Sequence, residues 1–239
     1  MPKVPKAIAV FDIVRHSHNQ GDTLTPRGVA LAFKRGEQNA KFLIGSNPRD
    51  YVAFGGSTRG ILYWGSHSPA QRAKQTEEEL YRGLRSNLSL SVVDARAREN
   101  PLLKMLLKNT PEAQAIVKEP AKAEAVLHAW FAGQPQELLA PRKEVEERMA
   151  PISEFVDLVK KFGETKTRLP LLYFTYVTHG GLGKAPGKID ALVERITGKP
   201  LEKLGGAMQH AEGVRLVVYE NGAVRKMILR QKERRPTEI

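Results

Sequence analysis

The sequence contains no cysteine and no long apolar run. Without cysteine the chain has neither disulfides nor a thiolate that could act as nucleophile or metal ligand. No apolar segment approaches the roughly 20 residues that a membrane-spanning helix needs. The N-terminal lysines do not precede the apolar core of a secretory signal, because Asp12 and Arg15 interrupt the first apolar run. These absences lead us to expect a cytoplasmic protein that does not enter the membrane.

Acidic and aromatic residues are also scarce. Lys and Arg number 38 and Asp and Glu 26, so the net charge is 38 − 26 = +12, and such an excess attracts anionic partners. Aromatic residues are 7% of the chain and do not alternate with basic residues as they do in proteins that stack single-stranded bases. A small phosphorylated substrate is therefore favoured over nucleic acid. Two regions contain basic residues that would suit a multiply anionic substrate: Arg49, Arg59, Lys104 and Lys108. A solvated basic surface explains these residues equally well.

Apolar runs of strand length alternate with segments of helical pattern along the chain. The β-branched run at 9–14 predicts a buried strand, and further strands are predicted at 61–64, 88–93, 170–177, 214–219 and 224–229. Thr25 and Ser68, each followed by proline, predict the N-caps of two helices, and a third helix is predicted at 186–197. The alternation predicts an α/β three-layer sandwich with a mostly parallel sheet, and the Asn221-Gly222 turn adds an antiparallel edge.

We expect a single domain that spans residues 1–239. Residues at about 100–165 contain five prolines between segments rich in Leu, Ala, Lys and Glu, and this pattern predicts a helical insertion. We expect the insertion to wall or cover a site at the edge of the sheet. Substrate specificity is expected in this insertion and in the loop at 44–60.

Reactive side chains follow several of the predicted strands. Arg15 and His16 end the first strand, Arg72 lies in the first turn after the second, and His179 follows the strand at 170–177. Because ligands bind at the carboxyl ends of parallel strands, we expect these side chains to meet. Two arginines can clamp a phosphate and keep a nearby imidazole neutral and nucleophilic. Glu99, after the third strand, is the candidate general acid for the leaving group.

Three separated motifs resemble those of the histidine phosphatase superfamily, which has the phosphoglycerate-mutase-like fold. The motifs are Val14-Arg15-His16-Ser17 with Leu24-Thr25-Pro26-Arg27-Gly28, then Ser68-Pro69-Ala70-Gln71-Arg72-Ala73-Lys74-Gln75-Thr76, then Val177-Thr178-His179-Gly180-Gly181. The resemblance implies a metal-independent phosphatase of the histidine acid phosphatase type, with His16 as the nucleophile that carries the phosphoryl group. Arg15, Arg72 and His179 would stabilise that group, the Gly180 amide would add a donor, and no cofactor would be needed.

The sequence departs from the family pattern at three points. Ser17 replaces the usual glycine after the nucleophile, and its hydroxyl could donate to the phosphate or crowd it. Ala97 replaces the leucine that usually precedes the family's proton donor, here Glu99. The link from His16 to Thr25 is shorter than in the glycolytic mutases, which favours a hydrolase over a mutase. Asn19, within this link, is a further candidate phosphate donor.

Two other functions are compatible with the same residues. His16 and His18 form an H-x-H pair that could bind a metal ion with His67 or His179, although the nearby arginines would repel a cation. A non-catalytic phosphate-binding module would keep the same cradle without turnover, with Ser17 as the change that stops it. The remaining histidines, His128 and His210, are expected to have structural roles.

Overall fold

A seven-stranded sheet forms the centre of the molecule, with strand order β5-β4-β6-β1-β7-β8-β9. The computed structural model describes residues 5–44, 60–88, 92–100, 103, 110–148, 154, 156–157, 159, 171–182, 185–231 and 237–238. The strands of this sheet are β1 (Ala7–Arg15), β4 (Ile61–His67), β5 (Val92–Glu99), β6 (Leu171–Thr178), β7 (Gly213–Tyr219), β8 (Val224–Leu229) and β9 (Thr237–Glu238). A small hairpin, β2 (Asn19–Gln20) with β3 (Thr23–Leu24), follows β1.

Four strands of the sheet are parallel and three are antiparallel. β5, β4, β6 and β1 pair in parallel, and β7, β8 and β9 extend the sheet in antiparallel pairs beyond β1. The predicted sheet with an antiparallel edge is therefore confirmed. The predicted hairpin is also present, and Gly222 in its turn has φ +78, a conformation that glycine adopts without a steric penalty.

The third predicted strand was misplaced. It was expected at 88–93, but β5 runs from Val92 to Glu99, so the charged segment 94–99 belongs to the strand instead of following it. Among the described strands β5 pairs only with β4 and so lies at an edge of the sheet. Edge strands tolerate charged residues that a central strand would exclude. Apolar content alone therefore placed the end of this strand too early, whereas residues 89–91 lie outside the described residues.

Helices cover both faces of the sheet. The described helices are α1 (Pro26–Ile44), α2 (Gln71–Ser86), α3 (Pro111–Val117), α4 (Pro120–Phe131), α5 (Arg142–Arg148) and α6 (Lys188–Thr197), and a 3₁₀ turn spans Leu201–Leu204. On one face α1 and α2 pack over Val10, Tyr63 and Tyr173. On the other, α6 and the 3₁₀ turn pack over alternate residues such as Phe11 and Ile13. These layers confirm the predicted three-layer sandwich.

One of the two predicted N-caps is present. The Gly28 amide donates to Thr25 Oγ1 at 3.1 Å, as expected of the residue before α1. The expectation for Ser68 was wrong, because α2 begins at Gln71 and its capping residue is Ala70. The Gln71 amide instead donates to Asp22 Oδ2 at 3.2 Å. Ser68 is thereby left available for a different contact.

The described parts of the predicted insertion are helical. Pro111 and Pro120 each begin a helix, as a residue without an amide hydrogen does readily. Trp130 of α4 and Val145 of α5 form a small core with Ala191 of α6. Most of the loop predicted at 44–60 lies outside the described residues. Among the described helices, none combines the length and apolar character needed to cross a membrane.

Candidate active site

The carboxyl ends of the central strands bring the predicted site residues to one edge of the sheet. Arg15 at the end of β1 is in register with Thr178 at the end of β6. The His16 amide donates to Thr178 O at 2.9 Å, which places His16 beside the segment that carries His179. Beyond β4, the Ser68 amide donates to Val177 O at 3.0 Å. Backbone hydrogen bonds therefore align the ends of three strands.

His16 is buried and its tautomer is fixed by the backbone. Its Nδ1 lies 2.9 Å from Ser17 O, and because a carbonyl oxygen can only accept, Nδ1 carries the proton. Nε2 therefore has a free lone pair. The pKa of His16 is lowered from its ordinary value of 6.5 to about 3, mainly by burial and in addition by the positive charges of Arg72 and Arg15. The sequence predicted a neutral imidazole through the arginines, but burial is the larger cause.

Arg72 joins the two histidines of the site. Its Nε donates to His16 Nε2 at 3.4 Å, and its Nη2 lies 3.5 Å from His179 Nδ1. On its outer side Nη1 forms an ion pair with Asp22 at 2.9 Å. The rings of His16 and His179 are 5.3 Å apart between centroids. A single guanidinium thus contacts both imidazoles.

His179 is held from its other side by Ser68. The Ser68 hydroxyl lies 2.7 Å from His179 Nε2. Since arginine has no lone pair to offer, His179 Nδ1 must accept from Arg72, so Nε2 carries the proton and donates to the hydroxyl. Burial lowers the pKa of His179 well below its ordinary value, and the positive charge of Arg72 adds to the effect. Both histidines are therefore neutral at physiological pH.

Arg15 is held rigidly beneath the site. Its Nη1 donates to Met208 O at 3.0 Å and its Nη2 to Gly181 O at 2.9 Å. Its Nε is buried and has no hydrogen-bond partner in the part of the chain that the structure describes. A Cβ at Gly180 would lie 2.3 Å from that Nε, so glycine is needed for this close approach. The lowered pKa of Arg15, caused mainly by burial, leaves it a cation.

Three of the predicted site residues do not contact the cluster of Arg15, His16, Arg72 and His179 through their side chains. Glu99 ends β5 in register with His67. The residue is exposed, and its side chain forms no hydrogen bond or ion pair with any described residue. Asn19 Nδ2 donates to Gly21 O at 2.7 Å within the hairpin turn. The Ser17 hydroxyl donates to Gly28 O at 2.7 Å. Ser17 thus ties the segment that carries His16 to α1.

Sequence reasoning missed residues that contact the cluster from distant segments. Ser68 was assigned to a helix cap, although its position directly after a strand was the same signal that identified His16 and His179. Asp22, which pairs with Arg72, belongs to none of the sequence motifs. His210 was given a structural role, yet its ring centroid lies 6.1 Å from that of His16 and 5.2 Å from that of His18.

The H-x-H pair of His16 and His18, the alternative metal site, has other contacts in the structure. His18 Nδ1 lies 2.8 Å from Thr25 Oγ1, which occupies one of its two ring nitrogens. Within the described ranges, no group of three or more histidine, aspartate or glutamate side chains is placed to hold a metal ion. The positive charges of Arg15 and Arg72 beside His16 also oppose a cation there.

The structure is similar to solved mycobacterial enzymes. No protein-family model matches the chain, and no curated protein is significantly similar to it in sequence. The complex of mycobacterial glucosyl-3-phosphoglycerate phosphatase with inorganic phosphate matches with a TM-score of 0.51 and 19% identity, over 92% of this chain and 94% of that chain. The native structure of that phosphatase matches with a TM-score of 0.50 and 20% identity, over 92% and 96%. A protein described as mycobacterial hydrolase 1 matches with a TM-score of 0.50 and 19% identity, over 92% and 95%.

These likenesses extend over nearly the whole of each chain, and they agree with the strand order and layers described above. The chain therefore shares the fold of these solved phosphatases, in agreement with the fold that the resemblance of its three sequence motifs implies.

Proposed function

We propose that this chain is a metal-independent phosphomonoester hydrolase that works through a phosphohistidine at His16. A fold can carry several activities, so the proposal rests on the site. The observation that carries it is the Arg72 guanidinium, which contacts His16 Nε2 at 3.4 Å and His179 Nδ1 at 3.5 Å. A neutral imidazole with a free lone pair beside fixed cations is suited to attack an anionic phosphorus centre.

The reaction takes place in two displacements. His16 Nε2 attacks phosphorus while the bond from phosphorus to the leaving oxygen breaks, and that oxygen takes a proton from a general acid. Water then attacks the phosphohistidine and gives a proton to the now deprotonated general acid, the phosphorus–nitrogen bond breaks, and inorganic phosphate leaves. Arg15, Arg72 and His179 stabilise the charge on the phosphoryl oxygens in both steps.

The other predicted residues take supporting roles in this proposal. The Gly180 amide forms no hydrogen bond within the described chain, so it is available to the phosphoryl group. Asn19 retains a second amide hydrogen beyond the one that it donates to Gly21 O. Ser17 positions His16 through its bond to Gly28, in place of a direct contact with substrate. Glu99 is proposed as the proton donor, and it must approach the leaving group when substrate binds.

The test is hydrolysis of p-nitrophenyl phosphate by the wild type and by His16→Ala. We expect the variant to lose activity by about a thousandfold or more, because the nucleophile is absent. His128→Ala is the matched control, since this exposed histidine lies on α4, 3.9 Å from Glu124. Trapping during turnover should yield acid-labile, base-stable phosphate on His16.

The same assay separates the alternatives. Phosphate binding without turnover would identify a non-catalytic module, and loss of activity in chelator would identify a metal-dependent hydrolase. Transfer of the phosphoryl group to an added alcohol in preference to water would indicate a mutase. Acid-labile phosphate on a residue other than His16 would contradict the proposed mechanism.

A further inference from the structure

Two histidines and one arginine border the proposed phosphate site on its outer side. His18 and His210 are half-buried and their ring centroids are 5.2 Å apart, and Arg27 is exposed in the first turn of α1. We call these three residues the basic rim. The rim adjoins the nucleophile, since the His210 ring lies 6.1 Å from the His16 ring.

The polar atoms of the basic rim are largely unused by the described part of the chain. His18 bonds to Thr25 through Nδ1, which leaves its Nε2 without a partner. The ring of His210 and the guanidinium of Arg27 have no hydrogen bond or ion pair with any described residue. The acidic residues nearest to the rim in sequence are already paired, Asp22 with Arg72 and Glu212 with Arg230. Nothing described in the chain neutralises the rim.

The position of His210 is set by its backbone. The Gln231 side chain donates to His210 O, and the next residue, Ala211, donates to Arg15 O at 3.2 Å. Arg35 Nε donates to Ala211 O at 3.1 Å. Ala211 has φ +56, which is uncommon for a residue with a Cβ and persists only where the surroundings impose it. The loop therefore holds the imidazole of His210 beside the site.

We propose that the basic rim binds a second anionic group on the substrate, so that the enzyme acts on small phosphomonoesters that carry another phosphate or a carboxylate a few bonds away. This inference rests on the proposed function of the His16 site. The ring centroids of His16 and His210 are 6.1 Å apart. This distance leaves room for only a short linker between an anionic group at His16 and a second one at His210.

The protonation of His210 is consistent with such a ligand. The pKa of His210 is lowered to about 4, mainly by burial and in addition by the positive charges of Arg15 and Arg27. A bound anion would offset those charges and favour the imidazolium form, which donates from both ring nitrogens. The second anionic group would thus gain a charge-assisted hydrogen bond.

The test compares the binding of three non-hydrolysable ligands by calorimetry. Methylphosphonate carries one anionic group, whereas phosphonoacetate adds a carboxylate and methylenediphosphonate adds a second phosphonate. We expect the wild type to bind the two bifunctional ligands about tenfold or more tightly than methylphosphonate, as one additional charge-assisted hydrogen bond provides. His210→Gln should reduce this preference by about tenfold.

Arg27→Gln provides a second variant, because this residue is exposed and its replacement leaves the core intact. It should also reduce the preference, whereas His128→Gln, an exposed histidine on α4, should retain it. Equal affinity of the wild type for all three ligands, or an unchanged preference in both rim variants, would overturn the inference about the rim. Failure to bind any phosphonate or inorganic phosphate would instead overturn the proposed function.

Discussion

The guanidinium of Arg72 determines which nitrogens of the two site histidines carry protons. It can only donate, so it requires a lone pair on His16 Nε2 and on His179 Nδ1. The protons then lie on the opposite nitrogens, toward Ser17 O and the Ser68 hydroxyl. The lone pair on His16 Nε2 is therefore maintained by two neighbours, Arg72 and Ser17 O.

A residue-level prediction concerns the proton donor. We expect Glu99→Gln to slow hydrolysis of an alkyl phosphate such as glycerol phosphate by about a hundredfold, because an alkoxide must be protonated as it leaves. Hydrolysis of p-nitrophenyl phosphate should fall only severalfold, since its leaving group departs without a proton. The measurement is kcat/KM for both substrates.

Asp22→Asn is the matched comparison, because Asp22 is the other carboxylate of the site and pairs with Arg72 at 2.9 Å. It should affect the two substrates alike. An equal loss with both substrates in Glu99→Gln, together with a selective loss in Asp22→Asn, would assign the proton transfer to Asp22.

At the scale of elements, α2 holds the segment that carries His16, the proposed nucleophile. The Ser17 amide donates to Thr76 Oγ1 at 2.9 Å, and Thr76 Oγ1 donates to Arg72 O at 2.7 Å. Ser17 and Thr76 are fully buried. One hydroxyl on α2 thus connects the turn after β1 to the same helical turn that presents Arg72.

Thr76→Val should therefore destabilise the protein by about 1–3 kcal/mol, because it leaves the buried Ser17 amide without an acceptor while keeping the shape of the side chain. Denaturant unfolding measures the loss. Thr76→Ser retains the hydroxyl and is the control for packing. A loss of equal size in both variants would show that the methyl group, not the hydrogen bond, provides the stability.

The sheet and its covering helices agree with most of the expected pattern. Strands β1, β6, β7 and β8 are built from apolar, β-branched runs, and the structure places them close to their predicted bounds. The end of β5 was predicted too early because its last six residues include four charged ones, which a buried strand would exclude. β5 can contain them because it lies at the edge of the sheet. Edge position is a property of strand order, which local composition does not encode.

At the scale of the whole molecule, the site makes stability depend on pH. The pKa is lowered to about 3 for His16 and about 4 for His210, and for His179 it lies well below its ordinary value. In the unfolded chain each imidazole returns to its ordinary pKa of about 6.5. Unfolding therefore takes up protons between pH 6.5 and about 4.

We expect the free energy of unfolding to be greatest above pH 6.5 and to fall as the pH falls through this window, with a slope that reflects up to about three protons from these histidines. Chemical denaturation at a series of pH values measures the slope. His16→Gln and His210→Gln should each reduce it by about one proton. A slope equal to that of the wild type in both variants would contradict the lowered pKa values.

The sequence by itself determined the fold class, and it placed Arg15, His16 and His179 at the ends of strands and Arg72 in the first turn of the helix that follows one. Those features are local, because strand, turn and helix start depend on neighbouring residues. Parallel strands then bring their carboxyl ends to one edge whatever the details of packing.

Only the tertiary structure decided how the site is completed. Ser68 lies 111 residues from His179 and Asp22 lies 50 residues from Arg72 in the chain, and His210 enters on a loop that carries no motif. No local pattern marks these partners. Their contacts, and the burial that sets the pKa of each histidine, exist only once distant segments pack together.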